Sequence, residues 1–296
     1  MLEIKNISKL YNSKPVLDGL SFEVTKDRIF GLIGPNGAGK TTTLRIILNI
    51  ILPSTGEIYF GGEKLDQRYL NQTGYLPEER GLYPKSKVIN TLVYLAQLKG
   101  LTSSEANKQS NYWLNRLNLI SYKNHNLEEL SKGNQQKVQF ISAIQHNPKV
   151  LVLDEPFSGF DPVNQSIFTE ILQEIKKDKF VILSTHLMDL AESLCDDFVL
   201  INKGKEVLKG ELKKTLNLLD KNIYEIIFDN NFKMENLENQ KDITILKKFD
   251  NKIQIEIHNA IPSEVLRKLS SENSILEFKK IIPSLHQLFI SQVEEK

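Results

Sequence analysis

Gly34-Pro35-Asn36-Gly37-Ala38-Gly39-Lys40-Thr41-Thr42 follows the spacing G-x-x-x-x-G-K-[ST]. Each position has a physical reason. Glycines let the backbone curl until successive N–H groups point at phosphate oxygens. A helix starting at Lys40 directs the positive end of its dipole at the same anion. Lys40 reaches the β and γ phosphates as a mobile point charge, and the Thr41 hydroxyl is a ligand for Mg²⁺. This chemistry is nucleotide binding. By itself it does not separate one class of nucleotide hydrolase or kinase from another.

A second group stands far downstream. Val150-Leu-Val-Leu-Asp154-Glu155-Pro156 ends an apolar run on two acids. In open α/β sheets, ligands gather outside the carboxyl ends of strands. There Asp154 suits the Mg²⁺ shell through water, and Glu155 suits a general base that polarises an attacking water. An isolated Asp-Glu pair is more simply a strand end meeting solvent. The phosphate loop upstream makes the chemical reading the better one.

Elements must position these groups. Ile29–Ile33 is a short apolar run ending at Gly34, and a helical pattern follows from Lys40 through Leu44, Ile47, Leu48 and Ile51, with Pro53 as its stop. Residues 2–7 and 20–25 alternate as strands, with breaks at Lys14-Pro15 and Asp18-Gly19. Gly56–Gly62 reads as a hairpin strand. Residues 86–128 are rich in helical signals, among them Leu92, Leu95, Ala96 and Leu98, then Trp113, Leu114, Leu117 and Leu119, and a helical subdomain over about 86–148 is expected. Val150–Leu153 and Phe180–Leu183 read as buried parallel strands around a helix at 162–177. Strands alternating with helices predict an α/β core. After Gly210 the pattern changes. Strands at 222–229, 243–249 and 252–258, with helices at 262–272 and 283–293, predict a small α+β domain over 211–296.

The whole chain sets bounds. It has 296 residues, enough for one large and one small domain. With 38 basic and 37 acidic residues it lacks the basic surplus of a dedicated nucleic-acid binder, and no nucleic-acid partner is expected. Cys195 has no second cysteine to pair with, which fits a reducing compartment and a small, partly buried side chain. The stretch Leu44–Leu52 is too short to span a bilayer and carries Arg45 and Asn49. The start, Met-Leu-Glu-Ile-Lys, lacks the apolar core of a signal peptide. A soluble cytoplasmic protein is expected.

Taken together, residues 1–210 resemble the ATP-binding cassette (ABC) ATPases. Leu130-Ser131-Lys132-Gly133-Asn134-Gln135-Gln136 is similar to that family's Leu-Ser-Gly-Gly-Gln signature. Ser158-Gly159-Phe160-Asp161 resembles the loop after the acid pair, and Ser184-Thr185-His186 the switch histidine. Gly74-Tyr75-Leu76-Pro77-Glu78 falls where the family has its glutamine loop, and Tyr11 where an aromatic stacks on adenine. The resemblance implies a P-loop NTPase fold with a mixed sheet and a helical subdomain. It implies ATP and Mg²⁺ as cofactors, Thr41, Glu78 and Asp154 around the metal, and Glu155 and His186 at the attacking water. It also implies that Ser131 and the following Gly133 and Asn134 face ATP held by a second ATP-binding subunit, and that Asp161 belongs to the nucleotide site. Ser131 at a helix start presents donors to an anion, although alone it is equally an ordinary capped helix.

Two departures stand out. Lys132 and Asn134 replace a glycine and the glutamine of the signature, and Glu78 replaces the loop glutamine. Pro77-Glu-Glu-Arg-Gly-Leu-Tyr-Pro resembles a branch that works with exporter-type membrane subunits, including sodium and drug exporters. Residues 211–296, with Ile282-Pro-Ser-Leu-His-Gln-Leu-Phe, resemble that branch's short C-terminal domain. The resemblance therefore implies a subunit peripheral to the inner face of the membrane, powering a separate permease. The coupling surface would lie near 75–120. A soluble ABC ATPase acting on ribosomes or nucleic acid is the alternative. A GTPase or small-molecule kinase would share the phosphate loop but has no use for the signature or His186.

Overall fold

Hydrophobic runs with period two and period 3.6 alternate along the chain, and the computed structural model resolves them into two compact units, Met1–Leu212 and Lys213–Lys296. The described residues are 1–79, 81–218, 222–229, 243–258, 260–271, 273–281 and 284–294, with side chains as far as 290. Arg80 and the Ile282-Pro283 pair lie outside them.

The first unit begins with strands β1 (Leu2–Tyr11), β2 (Lys14–Val24) and β3 (Arg28–Ile33), then helix α1 (Lys40–Ile47). Next come β4 (Thr55–Phe60), β5 (Glu63–Lys64), α2 (Gln67–Asn71) and β6 (Thr73–Leu76). Helices α3 (Val88–Leu98), α4 (Ser103–Arg116) and α5 (Lys132–Ile144) follow. The unit closes with β7 (Val150–Asp154), α6 (Pro162–Ile175), β8 (Phe180–Thr185), α7 (Met188–Leu194), β9 (Asp197–Asn202) and β10 (Lys205–Glu211).

Its strands form two sheets. One is antiparallel, in the order β2-β1-β4-β5. The other runs β10-β9-β3-β8-β7-β6, parallel except for β10 at its edge. Helix α1 packs against β2, β7 and β8, so Leu44, Ile46 and Ile47 join one core with Leu20, Phe22, Val152 and Ile182. Each such buried side chain contributes roughly 1.5–3 kcal/mol. Every residue of β7 and β8 is buried, as an all-apolar central strand requires.

Between β6 and β7 the chain is helical. A capping box between Thr102 and Glu105 starts α4. The buried Gln145 side chain bonds Ser110 Oγ at 2.9 Å and the Leu92 carbonyl at 2.8 Å, fastening α5 to α4 and α3.

Three sequence expectations need correcting. Asp18-Gly19 is not a turn but an irregularity within β2, where Gly19 has φ 68° beside register shifts in the β1–β2 pair. Tyr11 and Lys14 pair directly, so the reversal falls at Asn12-Ser13, both left-handed. Helix α1 stops well before Pro53, because Asn49 turns left-handed at φ 53° and the next amides bond back to the Arg45 carbonyl.

The second unit opens with α8 (Leu212–Leu218), which begins at the division between the two. Strands β11 (Ile223–Phe228), β12 (Ile243–Lys248), β13 (Lys252–Ile257) and β14 (Ile275–Lys280) make an antiparallel sheet in the order β12-β13-β11-β14. Helices α9 (Pro262–Ser270) and α10 (Leu285–Glu294) complete it. Alternation in β11 and β13 turns Tyr224, Ile226, Phe228, Ile253, Ile255 and Ile257 into one core with Val265 and Leu269 of α9.

Candidate active site

Strand register brings the chemistry together. Ile33 lies beside Thr185, and Asp154 beside Ser184, across the neighbouring strands β3, β8 and β7. The loop after Ile33, the Asp154-Glu155 pair and His186 therefore leave one sheet edge side by side. The Gly34 amide donates to the Thr185 carbonyl at 3.3 Å. Two glycines have no substitute in this loop. A Cβ at Gly34 would stand 2.2 Å from the Ile201 carbonyl oxygen. Gly39 has φ 107°, and its Cβ would meet Leu17 Cδ2 at 2.6 Å.

A cavity of about 330 Å³ opens there, lined by Val16, Asn36, Gly37, Gly39, Lys40, Thr41, Thr42, Glu78 and Glu155. Ala38 is buried under the loop, its carbonyl bonded to the Gly204 amide. Lys40 is 6% exposed, and its Nζ donates to the carbonyls of Gly34 at 2.8 Å and Pro35 at 3.2 Å. The same Nζ lies 3.3 Å from Glu155 Oε1, and His186 Nδ1 lies 3.0 Å from that oxygen. Glu155 Oε1 is buried and has hydrogen-bond geometry to neither. It is an acceptor placed between the Lys40 ammonium and the His186 ring and left for something else.

Ser184 holds both acids. Its hydroxyl donates to Asp154 Oδ1 and accepts from the Glu155 amide at 3.1 Å. Glu155 itself sits at φ 47°, a left-handed conformation that a non-glycine residue adopts only under constraint. Ser184 is the last residue but one of the buried strand β8, and in the sequence it stood out only as part of the segment leading to His186.

Asp154 is 1% exposed. Burial pushes its carboxyl above the ordinary carboxylate range, against the opposing hydrogen bonds from Ser184 and Thr41. Thr41 Oγ1 is 3.5 Å from Asp154 Oδ1, and Asp154 Oδ2 has no hydrogen-bond partner. A buried, unpartnered carboxylate oxygen next to a hydroxyl suits a hard cation. Glu78, exposed on the cavity wall, adds a further oxygen. Among the described residues no group of three or more His, Cys, Asp or Glu could cage a metal by itself.

Other expected site residues lie outside the cavity lining. Tyr11 ends β1 half-exposed, with Lys9 Nζ 5.2 Å from its ring centre. Ser131 caps α5, accepting from the Asn134 amide at 3.3 Å. Asp161 caps α6, accepting from the Asn164 amide at 2.9 Å. Gly133, in the first turn of α5, is half-buried and uncrowded. A Cβ there would meet nothing nearer than Phe160 Cδ1, at 4.0 Å.

Comparison with known proteins follows this geometry. Residues 17–158 match the family model described as ABC transporter. Residues 210–293 match that of the ATP-binding protein DrrA1-3-like C-terminal domain. The ABC transporter ATP-binding protein YhaQ of Bacillus subtilis is 42% identical over 295 residues, 99% of this chain and 98% of that one. The Nod factor export ATP-binding protein I of Cupriavidus metallidurans is 33% identical over 215 residues, 71% of each chain. A solved structure of an ATP-binding subunit of an ABC transporter superposes with TM-score 0.69 at 32% identity, covering 74% of this chain and 93% of the other. Likeness of this depth, sustained over nearly the full length of a relative, establishes that the chain belongs to the ABC transporter ATP-binding proteins and is an ATPase.

Proposed function

We propose that this chain hydrolyses Mg²⁺-ATP at composite sites shared with a second ATP-binding subunit, and so drives a separate membrane permease that exports its substrate. In this reading the backbone amides of Gly34–Thr42 and Lys40 hold the phosphates, and the Tyr11 ring stacks on adenine. Thr41, Asp154 and Glu78 hold Mg²⁺, which neutralises phosphate charge when bound. Glu155 Oε1 takes the proton of the attacking water, and His186 orients that water and the γ-phosphate. Ser131, Gly133, Asn134 and Asp161 complete the site of the facing subunit.

The observation that carries the proposal is Gly133. Glycine inside a helix costs about 1 kcal/mol against alanine. Nothing within this chain crowds Gly133, and its φ is not left-handed. The absence of a side chain is explained by close approach of something from outside, at a helix N-terminus suited to an anion. Export is supported by the Nod factor export relative. Among the described residues no helix is long and apolar enough to cross a membrane, which leaves that task to a permease. The chain would then sit at the inner membrane face through that partner.

Ser131→Arg tests the shared site. It is expected to leave nucleotide binding intact and block turnover, because the arginine fills the space meant for the facing phosphate. Unchanged hydrolysis would remove Ser131 from the mechanism. Copurification of a polytopic protein from detergent extract supports the permease. Copurification of ribosomes or DNA in its place would contradict it.

A further inference from the structure

Gln139 lies two turns beyond Ser131 on α5, a rise of about 12 Å along the helix. It is 3% exposed. Its Nε2 donates to the carbonyl of Pro77 at 3.3 Å and to that of Glu79 at 3.0 Å. Those two carbonyls flank Glu78. One side-chain amide therefore grips the Glu78 loop from both sides and fastens it to the helix that Ser131 caps. A flipped carboxamide would set its oxygen against two other oxygens, so the amide nitrogen faces both carbonyls.

Packing alone does not account for a glutamine here. Among the described residues Gln139 Oε1 is buried with no hydrogen-bond partner, a cost that methionine of similar volume would avoid. A neighbouring residue reinforces the link. Gln135 Nε2 donates to the carbonyls of Leu127 at 3.1 Å and Leu130 at 3.0 Å, holding the segment that leads into the cap. Helix α5 also packs on β6, the strand that leads into the Glu78 loop.

We infer that Gln139 is a positioning residue that ties the Glu78 loop to α5, so that engagement of the Ser131 cap sets where the Glu78 carboxylate stands. Within one chain it joins the end that completes a neighbour's site to the metal side of the chain's own site. The inference rests on the proposed roles of Glu78 and Ser131.

The test is steady-state ATP hydrolysis by the full chain, titrated with Mg²⁺. Gln139→Met is expected to raise the Mg²⁺ concentration for half-maximal turnover about fivefold, the scale of two neutral hydrogen bonds lost at the weak end of their range. ATP binding should be unaltered. In a Glu78→Gln background the same substitution should shift the Mg²⁺ dependence less than twofold, because the two residues act as a unit. A Gln139→Met chain with lower turnover but the wild-type Mg²⁺ dependence would overturn the inference, since that is what a packing role alone gives. A shift that persists undiminished beside Glu78→Gln would overturn it too. If Gln139→Met does not fold, Gln139→Asn, one methylene short of the two carbonyls, carries the same expectations. The two readings fail separately: unchanged hydrolysis by Ser131→Arg sinks the proposed function, whereas a blocked Ser131→Arg with an inert Gln139→Met sinks only this link.

Discussion

Replacing Asp154 by asparagine should make the nucleotide-free protein more stable while abolishing its activity. The carboxylate is 1% exposed, receives one hydrogen bond from Ser184 and a long contact from Thr41, and leaves Oδ2 unpartnered. Burial raises its proton affinity, which is the signature of a charge held at a cost. Asparagine keeps the acceptor for Ser184 and exchanges an unpaired charged oxygen for an unpaired neutral N–H. Relief of the buried charge is worth several kcal/mol. Against it stand weakening of the Ser184 bond and the orphaned N–H, about 1–3 kcal/mol together. The balance is a gain of about 1–2 kcal/mol, or roughly 2–8 °C in melting temperature for a unit of this size. The assay is thermal unfolding at neutral pH in chelator, followed by the same scan with Mg²⁺-ATP. Saturating ligand at a hundredfold excess over Kd should add about 2.7 kcal/mol to the wild type, and much less to the variant. A variant that melts below the wild type in chelator would refute the reasoning, because Asp154 would then be a satisfied structural charge rather than a waiting ligand.

Lys40→Ala removes a cation that now spans the Gly34 and Pro35 carbonyls and Glu155, and equilibrium ATP binding should weaken about 100-fold, the equivalent of one to two charge-assisted bonds. Retained micromolar affinity would contradict that role. His146 gives a pH prediction. Burial, then the nearby Lys99 charge, lowers its pKa from 6.5 to about 4, against an opposing interaction with the Thr73 backbone. The unfolded chain therefore gains the proton first, so stability is full above about pH 6.5 and falls as pH drops toward 4, by about 1–3 kcal/mol. His146→Phe should flatten that slope in urea titrations at pH 7 and pH 5, and an unchanged slope would assign the acid sensitivity elsewhere.

Much of the site was legible because it depends on local backbone chemistry. The Gly34–Thr42 spacing, the acids ending an apolar strand and the serine before a helix are each written within a few residues, and the last two take their meaning from the first. The α/β core was legible for a related reason, since β7 and β8 are buried on both faces and read as unbroken apolar runs. Asp18-Gly19 and Pro53 misled because turn-forming residues say that a chain can bend, not that it must. Asn49 ended α1 first, and β2 absorbed Gly19 as an irregularity. Ser184 and Gln139 were silent for another reason. Their importance lies in bonds to Glu155, Pro77 and Glu79, far away in the chain, and only strand register and helix packing bring those partners near. Strands β9 and β10 were missed as well, although β9 is apolar through Ile201.

The most direct measurement is the mass of the Glu155→Gln chain in solution with and without ATP and Mg²⁺. Glutamine keeps the size of the Glu155 side chain but cannot take a proton from water, so bound ATP persists. If each triphosphate is completed by Ser131 and Gly133 of a facing subunit, the chain runs as a monomer alone and as a dimer retaining two ATP molecules when both ligands are present. A chain that holds ATP and Mg²⁺ yet stays monomeric at every concentration tested would contradict the shared site.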